Sequence, residues 1–153
     1  MLKYTSFEIV FQEVPDEVTL AFSISNCPHR CINCHSAYLR DDVGIELTQL
    51  VITKLLDKYS GEVSCVCFMG GDANKDDLFD MASFVKQIGL RTAWYSGDNN
   101  ISDDKFLSVF DYIKVGEYIE KLGGLKQKTT NQRLYKITDM QLEDMTYKFW
   151  EHI

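Results

Sequence analysis

The chain has 153 residues, 45% of them hydrophobic, and a formal net charge of −7 at pH 7, which suits one domain, 1–153, around one core. The acidic balance argues against a nucleic-acid groove, whose affinity comes mostly from neutralised phosphates; Lys126, Lys128 and Arg133 are the nearest thing to a basic cluster. No stretch approaches the roughly 20 uninterrupted apolar residues of a membrane-spanning helix, and Met1 to Ser6 lacks a secretory core, so a cytoplasmic protein with a protein or small-molecule partner is expected.

Phe7 to Glu13 alternates apolar and polar residues as a half-buried strand does. Val14-Pro15-Asp16-Glu17 is turn chemistry. Val18 to Ile24 is more uniformly apolar, which predicts a strand inside the sheet. A cysteine-rich loop and a polar stretch to Asp42 follow it. Glu46 to Tyr59 spaces Leu47, Leu50, Val51, Leu55 and Tyr59 as a helix does, with Gly61 closing it. Val63 to Met69 predicts a buried strand running into Gly70-Gly71-Asp72. Asn74 is placed to cap a helix whose first turn holds Asp76 and Asp77 and whose apolar stripe is Leu78, Phe79, Ala82 and Val85, with Gly89 at its end. Arg91 to Tyr95 predicts a short strand ending at Ser96-Gly97. Ser102 or Asp103 caps a short helix with Phe106, Leu107 and Phe110, and Tyr112 to Val115 predicts a further strand. Residues 117 to 132 read as irregular, and Leu134 to Ile137 as a last strand. Asp139 to Trp150 predicts a terminal helix packing through Met140, Leu142, Met145 and Phe149.

Strand and helix alternate from residue 18 to about residue 115, the order of parallel crossovers in an α/β domain. The chain is too short for eight βα units, which take about 250 residues. An incomplete parallel β/α barrel, or an open curved sheet, is therefore expected. Function in such folds sits at the carboxyl ends of the strands. The cysteine loop, Gly70-Gly71-Asp72 and Ser96-Gly97 all fall there.

Three of the five cysteines, Cys27, Cys31 and Cys34, form a C-x3-C-x2-C cluster. In a reducing compartment such crowding points to metal ligation or redox chemistry. Three thiolates hold three irons of a cubane cluster and leave a fourth open to substrate. A structural zinc site using His29 or His35 as fourth ligand is the alternative, but such sites more often join two C-x2-C elements, and the sequence has no second one. His29 and His35 fit better as hydrogen-bonding groups beside the metal. Cys65 and Cys67 stand two apart in a strand, on one face, and read as core. Adjacent glycines bring bare backbone close to a ligand, and Asp72 adds an acceptor suited to an ammonium, although Gly-Gly-Asp is also an ordinary turn. No Ser/His/Asp set, P-loop or Gly-x-Gly-x-x-Gly signature is present.

The cysteine spacing resembles that of the radical S-adenosylmethionine enzymes. Within them the chain is similar to the glycyl-radical activases that serve anaerobic ribonucleoside-triphosphate reductases. His35 after the last cysteine, Gly70-Gly71-Asp72, and Thr130-Asn131-Gln132-Arg133, which resembles a Ser-Asn-Gln-Arg element, carry the narrower likeness over essentially the whole chain. The chain departs from the pattern at Asn33, where many radical enzymes have an aromatic residue, and at Ala73, where a proline is usual. It also has Asp rather than Glu at position 72, and Val115-Gly116 lacks a preceding aspartate.

The resemblance implies an incomplete barrel of the radical S-adenosylmethionine type, with a [4Fe–4S] cluster on Cys27, Cys31 and Cys34. It implies S-adenosyl-L-methionine as second cofactor, met by Asn33, Cys34 and His35 on the adenine side, by Gly70, Gly71 and Asp72 at the methionine end, and by Ser96 near the ribose or carboxylate. Flavodoxin or ferredoxin would supply an electron, reductive cleavage would give a 5′-deoxyadenosyl radical, and that radical would take hydrogen from a glycine of the large catalytic subunit of the reductase. Another glycyl-radical enzyme or a small metabolite as substrate, and a non-enzymatic zinc or iron–sulfur module, are the competing readings.

Overall fold

The structure, a computed structural model, describes residues 1–26, 41–59 and 61–150. It is a mixed α/β fold built on one eight-stranded sheet. In chain order the elements are β1 (Lys3–Val10), β2 (Thr19–Ile24), β3 (Ile45–Glu46), α1 (Gln49–Lys58), β4 (Cys65–Met69), α2 (Lys75–Gln87), β5 (Arg91–Tyr95), a short 3₁₀ helix (Asp104–Ser108), β6 (Tyr112–Val115), β7 (Arg133–Thr138), β8 (Gln141–Asp144) and a second 3₁₀ helix (Thr146–Phe149). The strands lie in the order β3-β1-β2-β4-β5-β6-β7-β8. The central strands β2, β4, β5 and β6 pair in parallel. Antiparallel strands extend the sheet on both sides.

Strand periodicity divides the core in two. Leu20, Phe22, Ile24, Val66, Phe68, Trp94, Ile113 and Val115 pack under the helices, against Ile52 of α1 and Leu78, Ala82 and Val85 of α2. Phe106 and Phe110 close this layer against Trp94, with ring centroids 4.9 and 5.6 Å away. The opposite face is narrower and carries small side chains. Ala21, Cys65, Cys67 and Ala93 lie there with Tyr112, covered by Val14, Leu134 and Met145. A strand buried on both faces carries a nearly continuous apolar run, as β4 does throughout and β2 does from Leu20 to Phe22.

Local chemistry sets the boundaries. The residue expected to open the first helix does something else: Glu46 pairs with Lys3, beside Ile45 paired with Tyr4, as an edge strand. Leu47 N–H then donates to Leu2 O, at 2.8 Å. The helix starts later, where Thr48 Oγ1 accepts from Val51 N–H at 3.2 Å. Its buried residue is Ile52, while Leu50 is 61% exposed. Asn74 stands at the N-cap of α2, with Asp76 and Asp77 in the first turn, but its side chain makes no capping bond.

The expected terminal helix is absent. Asp139 and Met140 both have positive φ, 50° and 66°, the pattern of a tight two-residue hairpin turn. The chain folds back as β8, with Thr138 opposite Gln141 and Tyr135 opposite Asp144. Leu142, Met145 and Phe149 are spaced to suit a helix, yet the open edge of β7 offers backbone partners that outweigh that pattern. Met145 still packs, on the small-residue face.

Candidate functional site

Four connections leave the parallel strands at their carboxyl ends: Ser25-Asn26 after β2, Gly70-Gly71-Asp72 after β4, Ser96-Gly97-Asp98 after β5 and Gly116-Glu117 after β6. Gly70 has φ +119°, and a Cβ there would stand 2.9 Å from Ile24 O. Only glycine lets the end of β4 pass that close to the end of β2. Gly70 N–H donates to Tyr95 O at 3.0 Å, and Trp94 Nε1–H donates to Gly70 O at 2.9 Å. Both bonds tie the turn to β5, while Ile24 of β2 packs against its other side.

Asp72 is 9% exposed. Its Oδ1 accepts from Ser96 Oγ–H at 2.7 Å, and its Oδ2 from Gly97 N–H at 2.9 Å. Ser96 Oγ in turn accepts from Asp98 N–H at 3.0 Å. Asp98 pairs with Lys75, at the start of α2, at 2.8 Å. Lys114, 8% exposed on β6, donates from Nζ to Ser96 O at 2.9 Å and to Gly116 O at 2.8 Å. Gln132 Nε2–H reaches the same Gly116 oxygen at 3.4 Å. Thr130 Oγ1 donates to Gly123 O at 2.9 Å and accepts from Gln132 N–H at 3.0 Å, while Asn131 Nδ2–H donates to Glu117 O at 3.1 Å. The Thr-Asn-Gln segment therefore closes the β6–β7 connection against Gly116.

The structure brings Gly70, Gly71, Asp72 and Ser96 to one place. Cys27, Cys31, Asn33, Cys34 and His35, with His29, lie outside the described residues. The described residues on either side of that segment are joined: Asn26 N–H donates to Asp41 O at 2.9 Å, and Ser25 N–H to Lys3 O at 3.0 Å. The two flanks thus meet just beyond the end of β2, where Ile24 lies against Gly70. Among the described residues, no three His, Cys, Asp or Glu side chains come together so as to hold a metal ion. Among them, no helix is long and apolar enough to cross a membrane.

Cys65 and Cys67 are fully buried on the small-residue face. Burial, with the Glu17 charge as a smaller cause, pushes the Cys65 thiol up to about 12, and burial holds Cys67 well above its ordinary value. Neither is a thiolate at neutral pH, which suits packing rather than ligation. Near them a cavity of about 330 Å³ opens between Gln12, Glu13, Tyr95, Leu125, Lys126 and Phe149. Tyr95 stands one residue before Ser96, and its hydroxyl donates to Glu13 O.

Lys114 and Asp98 are parts of the site that the sequence pattern did not single out. Lys114 left a signal, a charge inside the otherwise apolar strand Tyr112–Val115. Asp98 left none, being one of several acids in a polar turn. Comparison with models of known protein families finds no match, and comparisons with curated proteins and with solved structures find none either.

Proposed function

We propose that this chain is a radical S-adenosylmethionine enzyme of the glycyl-radical-activating kind, working in the cytoplasm on the large catalytic subunit of an anaerobic ribonucleoside-triphosphate reductase. The single observation that carries the reading is the spacing of Cys27, Cys31 and Cys34 on the connection after β2, next in the sheet to the strand that ends in Gly70-Gly71-Asp72. The reading calls for parallel strands whose carboxyl ends lie side by side, and β2, β4, β5 and β6 are paired in that way.

The donor chemistry fits the two groups. Three cysteines in eight positions match three irons of a cubane and leave one iron without a protein thiolate. Asp72 is a carboxylate held in place by a hydroxyl and a glycine N–H, and each carboxylate oxygen accepts more than one donor, which suits the ammonium of an amino-acid ligand. In this reading Cys27, Cys31 and Cys34 hold a [4Fe–4S] cluster, which when bound supplies the electron that splits the sulfonium. Asp72, with Gly70 and Gly71, orients the methionine end. Ser96 and Gly97 border its ribose or carboxylate side, and the Asn33–His35 backbone meets the adenine. What these residues contribute is position and the exclusion of water. Flavodoxin or ferredoxin is the proposed electron donor.

Oxygen-free reconstitution tests this directly. The full chain is expected to bind four irons and four sulfides, and with dithionite and S-adenosylmethionine to release 5′-deoxyadenosine. With the reductase subunit present, a glycyl-radical EPR signal is expected. Cys31→Ala is expected to lose the intact cluster and all deoxyadenosine formation; cleavage retained by that variant overturns the ligand assignment. A colourless protein holding zinc and no sulfide overturns the whole reading.

A further inference from the structure

We infer that Lys114 is the positioning residue of this site, acting through Ser96 and Gly116 to hold the Asp72 carboxylate where it receives the amino-acid end of the bound nucleotide. The inference rests on the proposed S-adenosylmethionine reading and adds a residue to it.

Position 114 lies on the small-residue face of β6, opposite Tyr95 on one neighbouring strand and Leu134 on the other. A methionine or leucine would fill such a place without cost, whereas a buried ammonium is unfavourable unless it is hydrogen-bonded. Lys114 directs two such bonds to the first carbonyls beyond two adjacent strands, Ser96 O after β5 and Gly116 O after β6. Its own carbonyl accepts from Ser96 N–H at 2.9 Å. Both main-chain polar groups of Ser96 are therefore bound by this one residue. With its backbone so fixed, the Ser96 hydroxyl points at Asp72 Oδ1, and Gly97 N–H, the next group along, meets Oδ2.

Gly116 is held in the same way. Its N–H donates to Asp98 O at 2.6 Å, and its oxygen is shared by Lys114 and Gln132. At φ +109° a Cβ on Gly116 would come within 2.9 Å of Gln132 Cα. Lys114 thus links the tips after β5 and β6, and through Gln132 the entry to β7, in a single hydrogen-bonded unit whose output is the orientation of Asp72. Charge-assisted bonds from an ammonium are the stronger kind, which suits a part that must not move when a charged ligand arrives.

The test is equilibrium binding to the reconstituted full chain, with two ligands. S-adenosylmethionine has the amino-acid end; methylthioadenosine shares the nucleoside and lacks that end. Lys114→Met keeps the length and apolar stem of the side chain. It is expected to weaken S-adenosylmethionine binding about tenfold, the loss of roughly one hydrogen bond to a charged group, and to leave methylthioadenosine within about twofold. Ser96→Ala, which removes the hydroxyl that donates to Asp72 Oδ1, is expected to weaken S-adenosylmethionine binding in the same direction by a smaller factor. The double variant is expected to be no worse than the more severe single one, because both act along one path. Equal weakening of both ligands, unchanged affinity for S-adenosylmethionine, or additive effects of the two substitutions overturns the inference. If Lys114→Met does not fold, Lys114→Gln, which keeps a donor on a shorter stem and removes the charge, decides by the same ligand ratio. A wild-type protein that binds neither ligand removes the underlying reading instead, and that arm is read before any variant.

Discussion

Glu17 and Asp72 are both acids buried at the ends of the same parallel strands, Glu17 at the amino ends and Asp72 at the carboxyl ends. Glu17 accepts from Ser64 Oγ–H at 2.7 Å, Arg91 Nη1–H at 2.8 Å and Tyr112 Oη–H at 2.8 Å, residues that stand just before or at the start of β4, β5 and β6. Its side chain is 1% exposed, beneath the Arg91 guanidinium. Among the described residues, the groups that donate to Asp72 are of another kind, a small hydroxyl and a main-chain N–H on a turn that follows a strand. Long side chains gathered on one acid make a clamp that ties strands together. Short groups on turns, beside glycines that bare the backbone, make a surface that a ligand can approach. Parallel sheets separate stability from chemistry along the strand direction in this way.

The sharpest way to break this comparison is to remove each acid in turn. Glu17→Ala leaves the buried Tyr112 hydroxyl without its acceptor, while the Ser64 hydroxyl keeps only the longer bond to Val18 O at 3.3 Å. Arg91 is 59% exposed at its side chain and returns to water, so its share of the loss is small. A loss of about 2–3 kcal/mol in unfolding free energy is expected, measured by urea titration, with nucleotide affinity per folded molecule unchanged. Asp72→Ala is expected to show the reverse: about 1 kcal/mol of stability lost, and a clear rise in the S-adenosylmethionine concentration required. Equal effects of both substitutions on stability and affinity would erase the distinction between the two ends.

A smaller effect sharpens the amino-end half of the comparison. The Cys65 thiol titrates at 9.0 in an ordinary setting and at about 12 in the folded chain, chiefly because it is buried and secondarily because Glu17 lies near. Between those values the unfolded chain holds fewer protons than the folded one, so stability falls as pH rises. The contribution is fully present below pH 9 and is lost progressively toward 12. Tyr112, also raised by burial and by its bond to Glu17, adds to the slope from its own ordinary value of 10.0 upward. Urea titrations from pH 7 to 10.5 are expected to show a decline beginning near 9. Cys65→Ala is expected to make it shallower by up to one proton, about 1.4 kcal/mol per pH unit. An unchanged slope in that variant means the thiol titrates normally and is not sealed beneath the clamp.

The two ends also differ in how far they could be read in the chain. The strand-end turns Gly70-Gly71-Asp72 and Ser96-Gly97 were legible because each is a short contiguous run after an apolar strand, and β5 matches its expected span, Arg91 to Tyr95. The Glu17 clamp was not, because its partners stand 47, 74 and 95 residues away. Only the sheet register brings them together, and Glu17 itself sits in what reads as turn chemistry. Lys114 lies between these cases: its charge inside an apolar strand was visible, but its two carbonyl partners were not. The central β/α alternation was legible because helix and strand periods differ there. The final segment was misread because Leu142, Met145 and Phe149 satisfy the helical period while hydrogen bonds to β7 decide the outcome.

That last segment gives the smallest prediction, and one whose sign alone is informative. The turn at Asp139-Met140 lies at the amino ends with the clamp, since Ile137 N–H donates to Asp111 O at 2.8 Å just before β6 begins. Met140 is 50% exposed, so its side chain contributes little packing. In a helix, glycine at this position would cost roughly 1 kcal/mol. In the hairpin, Met140 holds φ 66°, a region where a side chain is strained and glycine is not. Met140→Gly is therefore expected to raise the unfolding free energy by roughly 0.5–1 kcal/mol, read as a higher urea midpoint at an unchanged slope. A lower midpoint would restore the helix over 139–150. It would also withdraw β8 from the sheet, and with it the hydrogen bond by which Thr146 Oγ1 holds Leu134 N–H at 2.9 Å and the anchor that keeps Met145 over the small-residue face.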